Sequence, residues 1–303
     1  MTYESFKQHL AEGLQEFFPK GTHISIRQFP HNNSMVLDGL TILEPGSNLS
    51  PAIYLEHYFG QYQQGVPFET LQGQILQYYY AHCGPRHVDT SFFTCFEQIR
   101  PRIAYKLIHY EKNKELLKEV PYVPYLDLAA VFYCLVQEEP YKSSSILIHH
   151  KHLEYWGIPS ASLFPIAKRN TPVLLPFACD PLADLILPSF GACPPAGCQG
   201  MEQALESEIV PMYVLSNRQR LNGASCILYQ DVLKEVSGRL NDSLYILPSS
   251  VHEVIVLPAS AGGNPAELSQ LVQEINLAEV APEEVLSDHA YFYDRALDHV
   301  SIC

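Results

Sequence analysis

A strand-strand-helix phrase recurs near the C-terminal end of this chain, in Met212–Leu240 and again in Leu244–Asn276. In the first copy, Met212–Arg218 and Ala224–Tyr229 flank Asn222-Gly223, a pair suited to a hairpin turn that needs positive φ at both central positions. In the second, Leu244–Leu247 and Glu253–Leu257 flank Pro248–His252, and a helix is predicted from Asn264-Pro265, Asn as N-cap and Pro as first residue. Two hairpins, each backed by a helix, make an α+β architecture built from antiparallel strand-strand-helix units in two packed halves.

Upstream, Phe6, Leu10, Leu14 and Phe17/Phe18 recur at helical spacing before Pro19-Lys20-Gly21 ends the pattern. Strands are predicted at His23–Phe29, Met35–Leu43 and Ala52–Tyr58, then a helix over Phe68–Tyr80. His82–Gln98 reads as a loop or short helix. Arg102–Tyr110 alternates as a strand, Asn113–Lys118 suggests a short helix, and Tyr125–Val136 is an apolar run followed by Ser145–His149. Lys151–Trp156 and Ser160–Asn170 read as helices, the latter with Leu163, Ile166 and Ala167 as its buried stripe. From Thr171 to Val210 prolines interrupt every longer pattern and exclude a sheet interior. The expected organisation is an N-terminal α+β half (1–175), a Pro/Gly-rich connecting loop (176–210) and a C-terminal α+β half (211–303).

Nearly half of the 303 residues are hydrophobic, and the formal net charge is −14. That balance opposes binding to a phosphate backbone, and Lys112–Lys114 and Arg218–Arg220 are too short to act as basic patches. No apolar run is long enough for a membrane span and no signal-peptide pattern opens the chain, so a cytoplasmic address is expected. The eight cysteines read mostly as reduced packing residues.

The phrases Leu37–Leu43, Ser50–Leu55, Tyr105–Asn113, Asp127–Ala129, Leu153–Gly157, Leu244–Pro258 and Val280–Asp288 resemble an uncharacterised bacterial family, domain of unknown function 5688. The resemblance runs through nearly the whole chain. It implies no activity and transfers no catalytic or binding residue.

Ser250, His252 and Glu253 supply a nucleophile, a base and an orienting carboxylate, with Ser249 adjacent and Asn217, Asn222 and Gly223 on the preceding connection as binding candidates. Proximity in sequence is not geometry: on a continuous strand His252 and Glu253 point to opposite faces. The competing reading makes Ser249, Ser250 and His252 the hydrogen-bonding residues of a tight connection. Three sets of metal-ligand side chains occur: His82, Cys83, His87 and Cys95; His149, His150 and His152; and Cys179, Cys193 and Cys198. None has paired short zinc spacing, so no metal is expected, and a redox pair at Cys193 and Cys198 is the weaker alternative. Tyr78–Tyr80 and Trp156 read as core and rim aromatics, and Gly262-Gly263 as a helix lead-in rather than a phosphate cradle. With neither a P-loop nor a dinucleotide fingerprint, no cofactor is expected. The leading expectation is a non-enzymatic protein that contacts a protein or small ligand, with neither nucleic acid nor membrane as partner. The alternative is a hydrolase-like enzyme at Ser250, His252 and Glu253.

Overall fold

The computed structural model describes residues 1–48, 50–83, 91–136, 145–186 and 211–303. The predicted N-terminal helix is α1 (Tyr3–Leu14), whose first turn is held by Thr2, its side chain accepting from Ser5 N at 3.3 Å. Phe6, Leu10 and Leu14 are fully buried, and Phe18 rather than Phe17 completes the stripe. They pack on β1 (His23–Pro30), β2 (Val36–Leu43) and β3 (Ala52–Tyr54), an antiparallel sheet in that order, and on α3 (Phe68–His82). The predicted third strand is shorter than Ala52–Tyr58, because the chain turns at Leu55 into α2 (Glu56–Gln63). Leu40, Ile42, Ile53, Leu71 and Ile75 close this first core. Each fully buried aliphatic or Phe side chain contributes roughly 1.5–3 kcal/mol.

After α4 (Phe96–Ile99) comes a second antiparallel sheet. Its strands are β4 (Ile103–His109), β5 (Tyr122–Tyr125), β6 (Leu128–Leu135) and β7 (Ser145–Leu147), with β6 central and paired to the other three. The predicted short helix at Asn113–Lys118 is instead a pair of 3-10 turns. Every residue of β6 is buried, so the sheet needs cover on both faces. α5 (His150–Trp156) and α6 (Leu163–Leu174) follow; α6 buries Leu163, Ala167 and Thr171 against β4, and the Thr171 hydroxyl accepts from Tyr105 N at 3.2 Å.

The third sheet contains β8 (Phe177–Pro181), β9 (Tyr213–Asn217), β10 (Leu244–Leu247), β11 (Val254–Pro258), β12 (Tyr291–Asp294) and β13 (His299–Ile302) in the order β13-β12-β10-β11-β9-β8. β8 lies inside the stretch expected to be a connecting loop. As an edge strand ending at Pro181, it tolerates the proline that a central strand would not. α7 (Leu182–Ile186) follows β8, α8 (Val232–Leu240) precedes β10, and α9 (Pro265–Ala278) follows β11. The Asn264 side chain caps α9 by accepting from Ala266 N at 3.0 Å, with Pro265 first, as the sequence predicts. One core joins the second and third sheets: Ile103, Tyr105, Phe132 and Leu163 meet Leu215, Val254, Ile246 and Tyr291. The result is an α+β fold with three antiparallel sheets.

Two polar junctions hold the layers in register. At the β5–β6 turn, the Asp127 carboxylate accepts from Ser287 Oγ at 2.6 Å and from the buried Tyr291 hydroxyl at 2.7 Å. At the β1–β2 turn, Asn33 has φ 60° and donates from Nδ2 to the carbonyls of Pro282 and Val285, while its backbone N–H donates to Asn113 Oδ1 at 2.7 Å. Asn113 returns the contact and also donates to His109 O. His109 Nδ1 accepts from Lys112 N at 3.3 Å, and Lys112 pairs with Asp288 at 2.9 Å.

Replacing Asp127 with alanine leaves two hydroxyls without their charged acceptor and should lower stability by about 2–3 kcal/mol, read from chemical unfolding. Burial first, and Lys112 next, lower the His109 pKa, against smaller opposing contributions from Asp127 and Asp288. The unfolded chain therefore takes up the proton at higher pH than the folded one, and stability falls as pH drops below the unfolded histidine value of about 6.5. His109→Gln should flatten that part of the stability–pH curve.

Candidate functional site

The predicted site residues come from two connections at one end of the third sheet. The first leaves β9 at Asn217. Its amide is buried and bonded at both ends: Oδ1 accepts from Gln219 N at 3.1 Å and Leu221 N at 3.2 Å, and Nδ2 donates to Leu221 O at 2.7 Å. Arg220 and Asn222 both adopt φ 51°, and the chain then enters a 3-10 helix at Gly223–Leu228. The expected hairpin with a second strand at Ala224–Tyr229 is thereby corrected. Because Gly223 through Ile227 are all buried, the segment has no polar face, and its apolar run matched a strand pattern without being one.

Gly223 is needed for a reason other than the expected one. Positive φ belongs to Asn222, which holds the left-handed conformation, and not to Gly223. At Gly223 the second connection passes so close that a Cβ would stand 2.5 Å from His252 O and 2.8 Å from Asn217 N, and would also strike Ser216 Oγ. Ser216 Oγ itself donates to His252 O at 2.7 Å.

The second connection runs from β10 to β11. Ser250 Oγ accepts from the backbone N–H of His252 at 3.0 Å, and Ser250 N donates to Glu253 O at 3.1 Å. His252 Nδ1 lies 3.1 Å from the Arg220 carbonyl and 3.3 Å from Asn222 N, and Nε2 lies 3.6 Å from the Glu284 carboxylate. The first contact uses a protonated Nδ1 and the second a bare one; with either proton placement, the ring faces the neighbouring connection. The Glu253 carboxylate pairs with Arg220 Nη1 at 2.7 Å. Val251 N donates to Glu284 O at 2.9 Å, and Ala224 N to Val251 O at 3.3 Å.

The structure thus gathers all six predicted residues, yet not in the order serine, imidazole, carboxylate. Among the described residues no hydrogen bond joins Ser250 Oγ to the His252 ring, and the carboxylate facing that ring is Glu284, not Glu253. Glu284 and Arg220 are the partners that sequence reasoning missed. Glu284 stands 32 positions beyond His252 with no local signal; Arg220 was visible only as part of a short basic turn.

The other candidate clusters are placed in part. His87, Cys193 and Cys198 lie outside the described residues. His149 and His152 form a reciprocal helix cap, with His149 N donating to His152 Nδ1 at 3.1 Å. Cys134 and Cys226 are buried, and burial raises their thiol pKa values, to about 11 and about 12. No group of three metal-ligating side chains stands together among the described residues, and none of their helices is long and apolar enough to cross a membrane.

Residues 3–295 match the profile of DUF5688, a family of unknown function. The chain belongs to that family. The DUF5688 profile spans the first two sheets and five of the six strands of the third, so the connections at Asn217–Gly223 and Pro248–Glu253 lie inside the matched region. No curated protein and no solved structure matches this DUF5688 chain.

Gly223→Ala should cost about 1–3 kcal/mol, since an added methyl in a filled site forces backbone or neighbours to shift, and Gly223→Val should cost more. Thermal unfolding of the two variants checks this ordering; equal melting midpoints for alanine, valine and glycine would show that the close approach imposes no constraint.

Proposed function

We propose that this DUF5688 protein acts by binding a protein or small ligand rather than by catalytic turnover. The observation that carries this reading is the state of the Pro248–Glu253 connection. Each group a hydrolase would draw on has a structural partner: Ser250 Oγ accepts from His252 N, His252 Nδ1 meets the Arg220 carbonyl or the Asn222 N–H according to its tautomer, and Glu253 pairs with Arg220. Apolar surface of the kind binding covers is present on α9, where Leu271, Ile275 and Leu277 are exposed. The same helix carries Glu267 and Glu274 and no lysine or arginine, which favours a protein partner that brings apolar side chains with positive charge.

The hydrolase-like reading at Ser250, His252 and Glu253 keeps one observation in its favour. The half-exposed His252 ring faces the Glu284 carboxylate at 3.6 Å, a base beside an orienting group. What it lacks is a contact from base to nucleophile.

The two readings part on variants of this connection. If the residues hold the chain, His252→Ala should lower stability by roughly 0.5–3 kcal/mol and Ser250→Ala by less in the same direction. A broad screen of ester, peptide and phosphate substrates should then find no turnover by the unmodified protein. Stable variants that together abolish a hydrolytic signal would overturn the binding reading, because a nucleophile and its base fail as a unit.

A further inference from the structure

β1 stands at the edge of the first sheet, paired with β2 on one side and, among the described residues, with no strand on the other. His31 N donates to Met35 O at 2.7 Å, which makes those two a hydrogen-bonded pair at the end of the β1–β2 ladder. Bonded and non-bonded pairs alternate along an antiparallel ladder. Ser25, Arg27 and Phe29 therefore bond to β2, whereas Ile24, Ile26 and Gln28 turn their backbone N–H and C=O groups away from it. The far side of β2 agrees. Leu55 N donates to Asp38 O at 3.0 Å, which assigns Asp38, Leu40 and Ile42 to β3 and leaves Leu37, Gly39 and Thr41 for β1. Among the described residues no hydrogen bond reaches the outward groups of Ile24, Ile26 and Gln28.

A groove of about 770 Å³ lies between this strand and α1. Phe6, Leu10 and Leu14 hold the helix on the sheet, and its flank at Glu4, Lys7 and Ala11 lines the groove. Helix and strand run antiparallel: Gln15 Nε2 donates to Thr22 O just before β1, and Lys7 meets Asp38, which stands opposite Gln28. The groove thus has an apolar end, formed by Ala11, Ile24 and Ile26, and a charged one. At the charged end Lys7 lies 2.8 Å from Glu4 and 2.8 Å from Asp38, so two carboxylates share one ammonium and negative charge is left over.

Proteins usually blunt a long sheet edge with proline, a bulge or a charge. β1 has proline only at its last position, its register with β2 is unbroken over eight residues, and its one lysine or arginine, Arg27, lies on the face away from the groove. Arg27 bears instead on which strand can join. A second copy paired about Ile26 would set two Arg27 side chains diagonally on one face, a like-charge contact.

We propose that the groove takes an extended segment of a protein partner, added antiparallel to β1 as a fourth strand. Main-chain hydrogen bonds to Ile24, Ile26 and Gln28 hold it, and alternate side chains enter the groove beside α1. The segment carries a basic side chain facing Gln28, next to the excess negative charge, and apolar side chains facing Ile26 and Ile24. The groove shares no residue with α9, so a failure here leaves the binding reading above standing.

Amide hydrogen exchange of the full chain, resolved by NMR, tests this with the capped peptide Ser-Lys-Thr-Val-Thr-Val-Ser. In the free protein the N–H groups of Ile24, Ile26 and Gln28 should exchange fast and those of Ser25, Arg27 and Phe29 slowly. At a peptide concentration about ten times its Kd, the first three should slow about tenfold. A peptide with Glu in place of Lys should bind roughly two- to fivefold more weakly, the range of an exposed ion pair. Gln28→Pro removes an N–H that faces the open edge, so it should keep its melting midpoint and lose the peptide. Glu4→Lys, at an exposed position, should reverse the preference between the two peptides, and it decides alone if Gln28→Pro unfolds. Slow exchange at all six amides of the free protein overturns the proposal, as does a millimolar peptide that slows none of the three. Protection that appears on raising the protein concentration alone overturns it too, since a second copy would then fill the edge.

Discussion

A strand buried along its whole length dictates most of this architecture. β6 reads Leu-Ala-Ala-Val-Phe-Tyr-Cys-Leu, and all eight residues are buried. An ordinary antiparallel sheet alternates apolar and polar residues and needs cover on one side only. β6 needs it on both. Leu128, Ala130, Phe132 and Cys134 face the six-stranded sheet and α6, whereas Ala129, Val131, Tyr133 and Leu135 face Leu117, Val120 and Leu175. The second requirement draws the segment after β4 and the end of α6 over the far face.

Apolar cover does not fix how separate layers align, and short polar side chains do that here. Asn33 and Asn113 exchange hydrogen bonds while each also reaches a third segment, at 282–285 and at His109. Asparagine suits both ends: it tolerates the left-handed backbone of the β1–β2 turn and offers two donors and an acceptor in one plane. Asp127 does for the β5–β6 turn what Asn33 does for the first sheet. These contacts are directional, so they select one alignment where burial alone would accept several.

The elements legible in the sequence were those whose pattern has a single explanation. α1 has a helical stripe and α9 has Asn and Pro at its start, and both stand where the sequence predicts them. β10 and β11 pair antiparallel as expected, with Leu247 opposite Ile255. Legibility failed where burial erased the pattern. Gly223 through Ile227 are all buried, so strand and 3-10 helix looked alike, and Asn222-Gly223 suggested a hairpin although only Asn222 of the pair takes positive φ. β5 went unpredicted because Pro124 interrupts a four-residue strand. β8 did so because prolines crowd the sequence around it, although an edge position makes them harmless.

The candidate site was legible as a neighbourhood and illegible as chemistry, and the reason is general. Ser250 and His252 were prominent because their side chains react in other proteins. Reactivity, however, depends on what the surroundings leave unsatisfied. The His252 ring meets Arg220 and Asn222 from a connection 30 to 32 positions away, and Ser250 Oγ is occupied by the next residue but one.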